Sequence, residues 1–99
     1  YRVGKPCGGR HFTLIFARNR LNKVQVGFSV SKKIGNSVRR NRCKRRLRAC
    51  FTPFLPQVKA GYNLIFVARE SSLDAPFVEL SAAMGRSLQH AGLFKERDL

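Results

Sequence analysis

Two short stretches of this chain alternate between apolar and polar side chains, and two longer ones repeat every three to four residues. From His11 to Arg18, Phe12, Leu14 and Phe16 fall on one face and Thr13 and Ile15 on the other, which predicts a strand. From Val24 to Ser31 the alternation is cleaner: Val24, Val26, Phe28 and Val30 point one way, Gln25, Gly27, Ser29 and Ser31 the other. Lys32 to Gly35 forms a basic turn, and Asn36 or Ser37 supplies an N-cap. Cys43, Leu47, Cys50, Phe51 and Phe54 then lie along one stripe of a helix, which Pro53 and Pro56 end between them. Tyr62 to Arg69 is a continuous apolar run and predicts a buried strand. Leu73, Phe77, Leu80, Met84, Leu88 and Ala91 return to helical spacing, with Pro76 in the first turn and Gly92 at the end. Its Phe and Met are expected in the core. The opening YRVGKPCGGR, rich in Gly, reads as loop. With neither repeat nor linker, the pattern describes one α+β domain.

The polar faces carry the functional signal. Gly27, Ser29 and Ser31 are small where a solvated strand of a basic protein would carry Lys, Thr or Glu. They leave room for an extended strand to lie against the sheet. The helical segment is the opposite case: Arg39, Arg40, Arg42, Lys44, Arg45, Arg46 and Arg48 place seven cations within ten residues. Arg42, Arg45, Arg46 and Ala49 fall on its outer surface, and Arg39 and Lys44 flank the apolar stripe. Crowding like charges on one helix has a repulsive cost that an anionic partner relieves, and phosphate is the obvious anion.

Charge along the rest of the chain agrees. Of 99 residues, 20 are Lys or Arg and 5 are Asp or Glu, a net charge of +15. All five acids lie after residue 69, so residues 1–69 hold 17 basic side chains and no acidic one. Arginine forks bind phosphate bidentately and stack on bases, so an arginine-rich helix favours structured nucleic acid over diffuse counter-charge. A strand, not a short helix, precedes it, which weighs against helix-turn-helix docking on DNA. No apolar run approaches the roughly 18–20 residues of a membrane span. Three cysteines without metal-ligand spacing read as reduced thiols, which places the chain in the cytoplasm. Cys43 and Cys50 are about 10 Å apart along the helix, too far for a disulfide.

Catalytic chemistry has little to work with. His11 and His90 sit in no recognisable motif, the acids are few, and Gly8-Gly9 lacks the context of a nucleotide loop. No catalytic residue is expected. Asn41, inside the basic run, is a candidate contact for a base or a hydrated metal ion.

The residues Gly35-Asn36-Ser37-Val38, Arg40-Asn41-Arg42, Lys44-Arg45 and Arg48 closely resemble the signature of the protein subunit of bacterial ribonuclease P. Val26 to Lys33 and Gly61 to Arg69 resemble two strands of that family, so the likeness spans nearly the whole chain. It implies a single two-layer α+β domain over residues 1–99, related to a ribosomal protein domain. A small mixed sheet would carry the basic helix in a left-handed βαβ crossover. It also implies a ribonucleoprotein endoribonuclease in which the RNA subunit, with Mg2+, hydrolyses the phosphodiester that frees the 5′ leader of precursor tRNA. The protein would bind that RNA and hold the leader, with no membrane and no obligate protein partner.

Carried over by position, Lys32, Lys33, Arg39, Arg40, Asn41, Arg42, Lys44, Arg45, Arg46 and Arg48 form the RNA-binding set. Thr13, Ile15, Ser29 and Ser31 line the sheet side of the leader cleft, with Tyr1 opposite. Three departures accompany the resemblance. The family's N-terminal amphipathic helix is represented only by its tail end at Tyr1. Ile15 stands where an aromatic is frequent, and Ala49 replaces a commonly charged position. A ribosomal or other structural RNA-binding protein shares the charge logic, and a membrane-surface or DNA-condensing protein shares part of it. The Asn36 to Arg48 motif separates the first, and the small-residue sheet face the second.

Overall fold

The computed structural model describes residues 6–95. Four strands form one sheet: β1 (Pro6–Gly8), β2 (Phe12–Arg18), β3 (Gln25–Ser29) and β4 (Tyr62–Ala68), in the order β1-β2-β4-β3. β1 and β4 run antiparallel to β2, whereas β3 runs parallel to β4. A parallel pair needs a crossover, and helix α1 (Ser37–Phe51) provides it; helix α2 (Phe77–His90) closes the domain.

Local signals fix α1. Asn36 is the N-cap, its side-chain oxygen accepting from the Arg39 N–H at 3.0 Å. Gly35 precedes it at φ 149°, where a Cβ would lie 2.8 Å from Arg39 Cδ, so the turn into the helix favours glycine. The helix stops at Phe51, and Thr52–Gln57 continues as a 3-10 helix. Pro53 cannot supply the N–H that an α-helix would direct at Ala49.

Both helices bury their stripes against one face of the sheet. Phe12, Leu14, Leu64 and Phe66 from the strands meet Cys43, Leu47, Cys50 and Phe51 from α1 and Leu80, Met84 and Leu88 from α2. Phe66 is the aromatic centre, with ring centroids 5.4 Å from Phe12 and 5.7 Å from both Phe28 and Phe51. Cys43 and Cys50 are free, buried thiols.

Four expectations change. Residues 6–8, read as loop, form edge strand β1; an edge tolerates Pro6 because its missing N–H need not serve two neighbours. The second strand is shorter than Val24–Ser31, and Val26 is 37% exposed because β3 is an edge strand. β4 is not buried on both sides: Leu64, Phe66 and Ala68 face the core, but Ile65 is 41% exposed. Phe77, expected in the core, is 48% exposed because α2 begins there, after Pro76, and turns Leu80 inward instead.

Truncation of Phe66 to Ala should cost about 3–5 kcal/mol, read as a lowered midpoint in urea unfolding. Burial pushes the Cys50 thiol up, opposed in part by the Arg46 guanidinium. The folded chain therefore keeps that proton longer than the unfolded one. Its contribution to stability is fully present below about pH 8.5 and declines as pH rises through the thiol range. Cys50→Ala should flatten the alkaline fall in urea midpoint, measured between about pH 7 and 10.

Candidate nucleic-acid interface

α1 turns its cations away from the core. Arg39, Asn41, Arg42, Arg45 and Arg48 are exposed, and Arg40 and Lys44 are half-buried along its flanks. Val38, Asn41, Lys44, Arg45 and Arg48 edge a shallow groove of about 470 Å3 along the helix. Arg48 is held over the Phe28 ring, 5.7 Å from its centroid, which fixes it beside the β3 edge while its N–H edges stay outward. Arg40 Nε is buried without a hydrogen-bond partner among the described residues. Among the described residues, the ionic contacts are Arg10–Glu79 and His11–Glu79, and neither involves α1. No acid lies in its first turn either. Among the described residues, therefore, no acid compensates the field of this helix.

Lys32 and Lys33 extend the basic surface. They are exposed in the 3-10 turn Lys32–Ile34 that links β3 to α1. Ser31 caps this turn, its Oγ accepting from the Lys33 N–H at 3.1 Å. That role takes Ser31 out of the strand and away from the row in which the sequence placed it.

The second surface is the sheet face opposite the helices. Register aligns Thr13 with Val67 and Ser29 across three strands, and Ile15 with Ile65 and Gly27 in the next row. Thr13, Ile15 and Ser29 thus share one face, as expected. A Cβ built on Gly27 meets nothing within 4 Å, so space above the strand is open. Among the described residues no helix covers this face. Tyr1, the expected opposite wall, lies outside the described residues. The sequence reading missed Asn63, Ile65 and Val67, which supply the middle of the face from β4. The alternation within Tyr62–Ala68 contained the signal, but two apolar residues on the open side made the strand look buried throughout. Arg69, at the end of this row, donates to Thr13 Oγ1 at 3.3 Å.

Basic helix, small-residue row and parallel β3–α1–β4 unit together match known proteins. A sequence profile of the family Ribonuclease P covers residues 1–92. The chain belongs to the ribonuclease P protein family. It is 40% identical over 95 residues to the ribonuclease P protein component of Clostridium botulinum strain Loch Maree, covering 95% of this chain and 86% of the relative. It is 36% identical over 98 residues to that of Caldanaerobacter subterraneus, covering 99% and 84%. The ribonuclease P protein of Staphylococcus aureus superposes with a TM-score of 0.81 at 29% identity, over 93% of this chain and 84% of that one. The Thermotoga maritima protein shares the fold, with a TM-score of 0.79 at 22% identity over 88% and 83%.

Within this ribonuclease P protein one cation of the expected RNA-binding set is engaged internally. Arg46 is half-buried, and its Nη1 donates to the carbonyls of Ser72 at 2.7 Å and Leu73 at 2.6 Å, while Nη2 donates to that of Ala75. These carbonyls end the 3-10 turn Glu70–Leu73 and lead to α2. Arg46 fastens the basic helix to the rest of the core, and helical spacing alone did not distinguish it from Arg45. Among the described residues no three His, Cys, Asp or Glu side chains converge to hold a metal. Asn41 offers one exposed amide, so these residues do not fit a Mg2+ site built by protein ligands.

Arg45→Ala should lower the log–log salt slope of RNA binding by roughly 0.7–0.9, one phosphate contact, with little change in stability. Arg46→Ala should leave the slope unchanged and cost about 2–4 kcal/mol, less than three separate bonds at roughly 1.5–3 each because bonds from one half-exposed guanidinium are not additive and water replaces part of them. Filter binding across a salt series and urea unfolding separate the two.

Proposed function

We propose that this chain serves as the protein component of ribonuclease P by using its two surfaces for two RNAs. α1, with Lys32 and Lys33, faces the catalytic RNA, and the open sheet face holds the single-stranded 5′ leader of precursor tRNA. The observation that carries this reading is that, among the described residues, the domain presents an unpaired cation row on α1 and, on the opposite side of the sheet, a face of small and apolar residues that no helix covers. Structured RNA needs the positive charge for its backbone, and an extended strand without a fixed sequence needs a flat, non-selective surface for its bases. Thr13, Ile15, Ser29, Ile65 and Val67 line that surface.

Hydrolysis is assigned to the RNA, with Mg2+ held by RNA phosphates and Asn41 at most touching a hydrated ion. The protein raises affinity for substrate and lowers the metal concentration the RNA needs, because cations on α1 reduce repulsion between the assembled phosphates. A cytoplasmic location is supported by the two free buried thiols. No helix among the described residues is long and apolar enough to cross a membrane. Matches to ribonuclease P proteins disfavour the ribosomal alternative.

Cleavage of precursor tRNA by the cognate RNA at limiting Mg2+ should be stimulated on adding the chain. Ser29→Glu should raise KM for leader-bearing substrate roughly tenfold, about 1.4 kcal/mol of added repulsion, while affinity for the catalytic RNA stays constant. Equal effects on precursor and on leaderless tRNA would remove the sheet face from leader binding.

A further inference from the structure

A third feature belongs neither to α1 nor to the open sheet face. A groove of about 790 Å3 lies between the turn joining β1 to β2 and one flank of α2. Its volume is within the roughly 300–1,000 Å3 typical of ligand sites. Arg10 and Gly9 line it from the turn; Glu79, Arg86 and His90 line it from α2. Positions 79, 86 and 90 are seven and eleven residues apart, so they share one helical face. The site lies by the β1 edge, across the sheet from the β3 edge where Arg48 packs.

The carboxylate in this groove is held in place from behind. His11 is only 5% exposed, and its Nε2 lies 3.1 Å from Glu79 Oε1 while its Nδ1 lies 2.9 Å from Ser71 Oγ. Ser71 Oγ in turn donates to the Arg10 carbonyl at 3.1 Å. A buried ring thus fixes one oxygen of Glu79 and leaves the other to accept from a ligand. Arg10 Nη1 is 3.9 Å from the bound oxygen, too long for a committed pair, and its side chain is 82% exposed. Two guanidinium groups with one oriented carboxylate between them are a poor match for an acidic peptide, which the carboxylate would repel. They suit a ligand that is anionic at one end and carries an amino group at the other.

We propose that this groove binds one nucleotide of single-stranded RNA. Arg10 and Arg86 take the phosphates, and Glu79 accepts from an exocyclic amino group, as on cytosine N4. The inference deepens the RNA-binding reading above and rests on it. It gives the protein a third RNA contact, at the β1 edge of the sheet, opposite the β3 edge where Arg48 packs.

Binding of the full chain should be measured across a salt series for Arg10→Ala/Arg86→Ala, Glu79→Gln and, as a control on α1, Arg45→Ala. One arm uses ribonuclease P RNA alone and the other uses precursor tRNA on the assembled holoenzyme. The double variant should lose about 1.5 units of slope at roughly 0.7–0.9 per phosphate, with its urea midpoint retained. Loss in the first arm assigns the strand to ribonuclease P RNA, and loss only in the second assigns it to the substrate. Short oligo(C) should compete better than oligo(U), and Glu79→Gln should abolish that preference without altering the slope. Unchanged slopes in both arms, with the Arg45→Ala control responding, overturn the proposal. If the control also fails to respond, the RNA-binding reading falls with it. Slope loss without any preference for oligo(C) overturns the role of Glu79.

Discussion

Like-charge repulsion along α1 is the constraint around which the molecule is arranged. Arg39, Arg42 and Arg45 lie three apart, and Lys44 and Arg48 four apart, each such pair costing an isolated helix about 0.2–0.5 kcal/mol. The charges at its N-terminus also oppose the helix dipole. No carboxylate among the described residues relieves them. Burial holds the helix instead: Cys43, Leu47, Cys50 and Phe51 are almost wholly removed from water, and Arg46 is fastened to three backbone carbonyls. Stability comes from one side of the helix, so the other is left with its charge available to phosphate.

The sheet follows the same division of labour. Both helices pack on the face that carries Phe12, Leu14, Leu64 and Phe66, while rows built on Thr13, Ile15, Gly27 and Ser29 stay uncovered. The small side chains Gly27 and Ser29, which would contribute little to a core, lie on this other face.

Among the described residues the acids are Glu70, Asp74 and Glu79, on the approach to α2 and in its first turn, and Glu79 does local work there. Glu79 is organised by buried His11, and Arg10 borders the same groove. None of these three acids pairs with a cation of α1. The similarity of fold to the Thermotoga maritima protein at 22% identity fits a scaffold specified by burial pattern more than by individual side chains.

Periodicity alone placed β2, β3, β4 and both helices, and the core face of β2, β3 and α1, because alternation and helical spacing report which side of an element meets the interior. The Asn36 cap and the prolines after Phe51 likewise marked the ends of α1 through local chemistry. What local pattern does not encode is pairing across the fold. It gave no reason to expect Pro6–Gly8 to join the sheet, nor Ile65 and Val67 to face an open side, since these depend on which strands become neighbours. It could not part Arg46 from Arg45, adjacent residues of one type on one helix. Only the packing of α1 against the turn before α2 brought three carbonyls within reach of one guanidinium and left the other facing solvent. Composition and spacing determined that this chain carries a dense row of cations suited to phosphate; tertiary contacts decided which of them stay exposed, because a charge is available only where the fold does not already satisfy it.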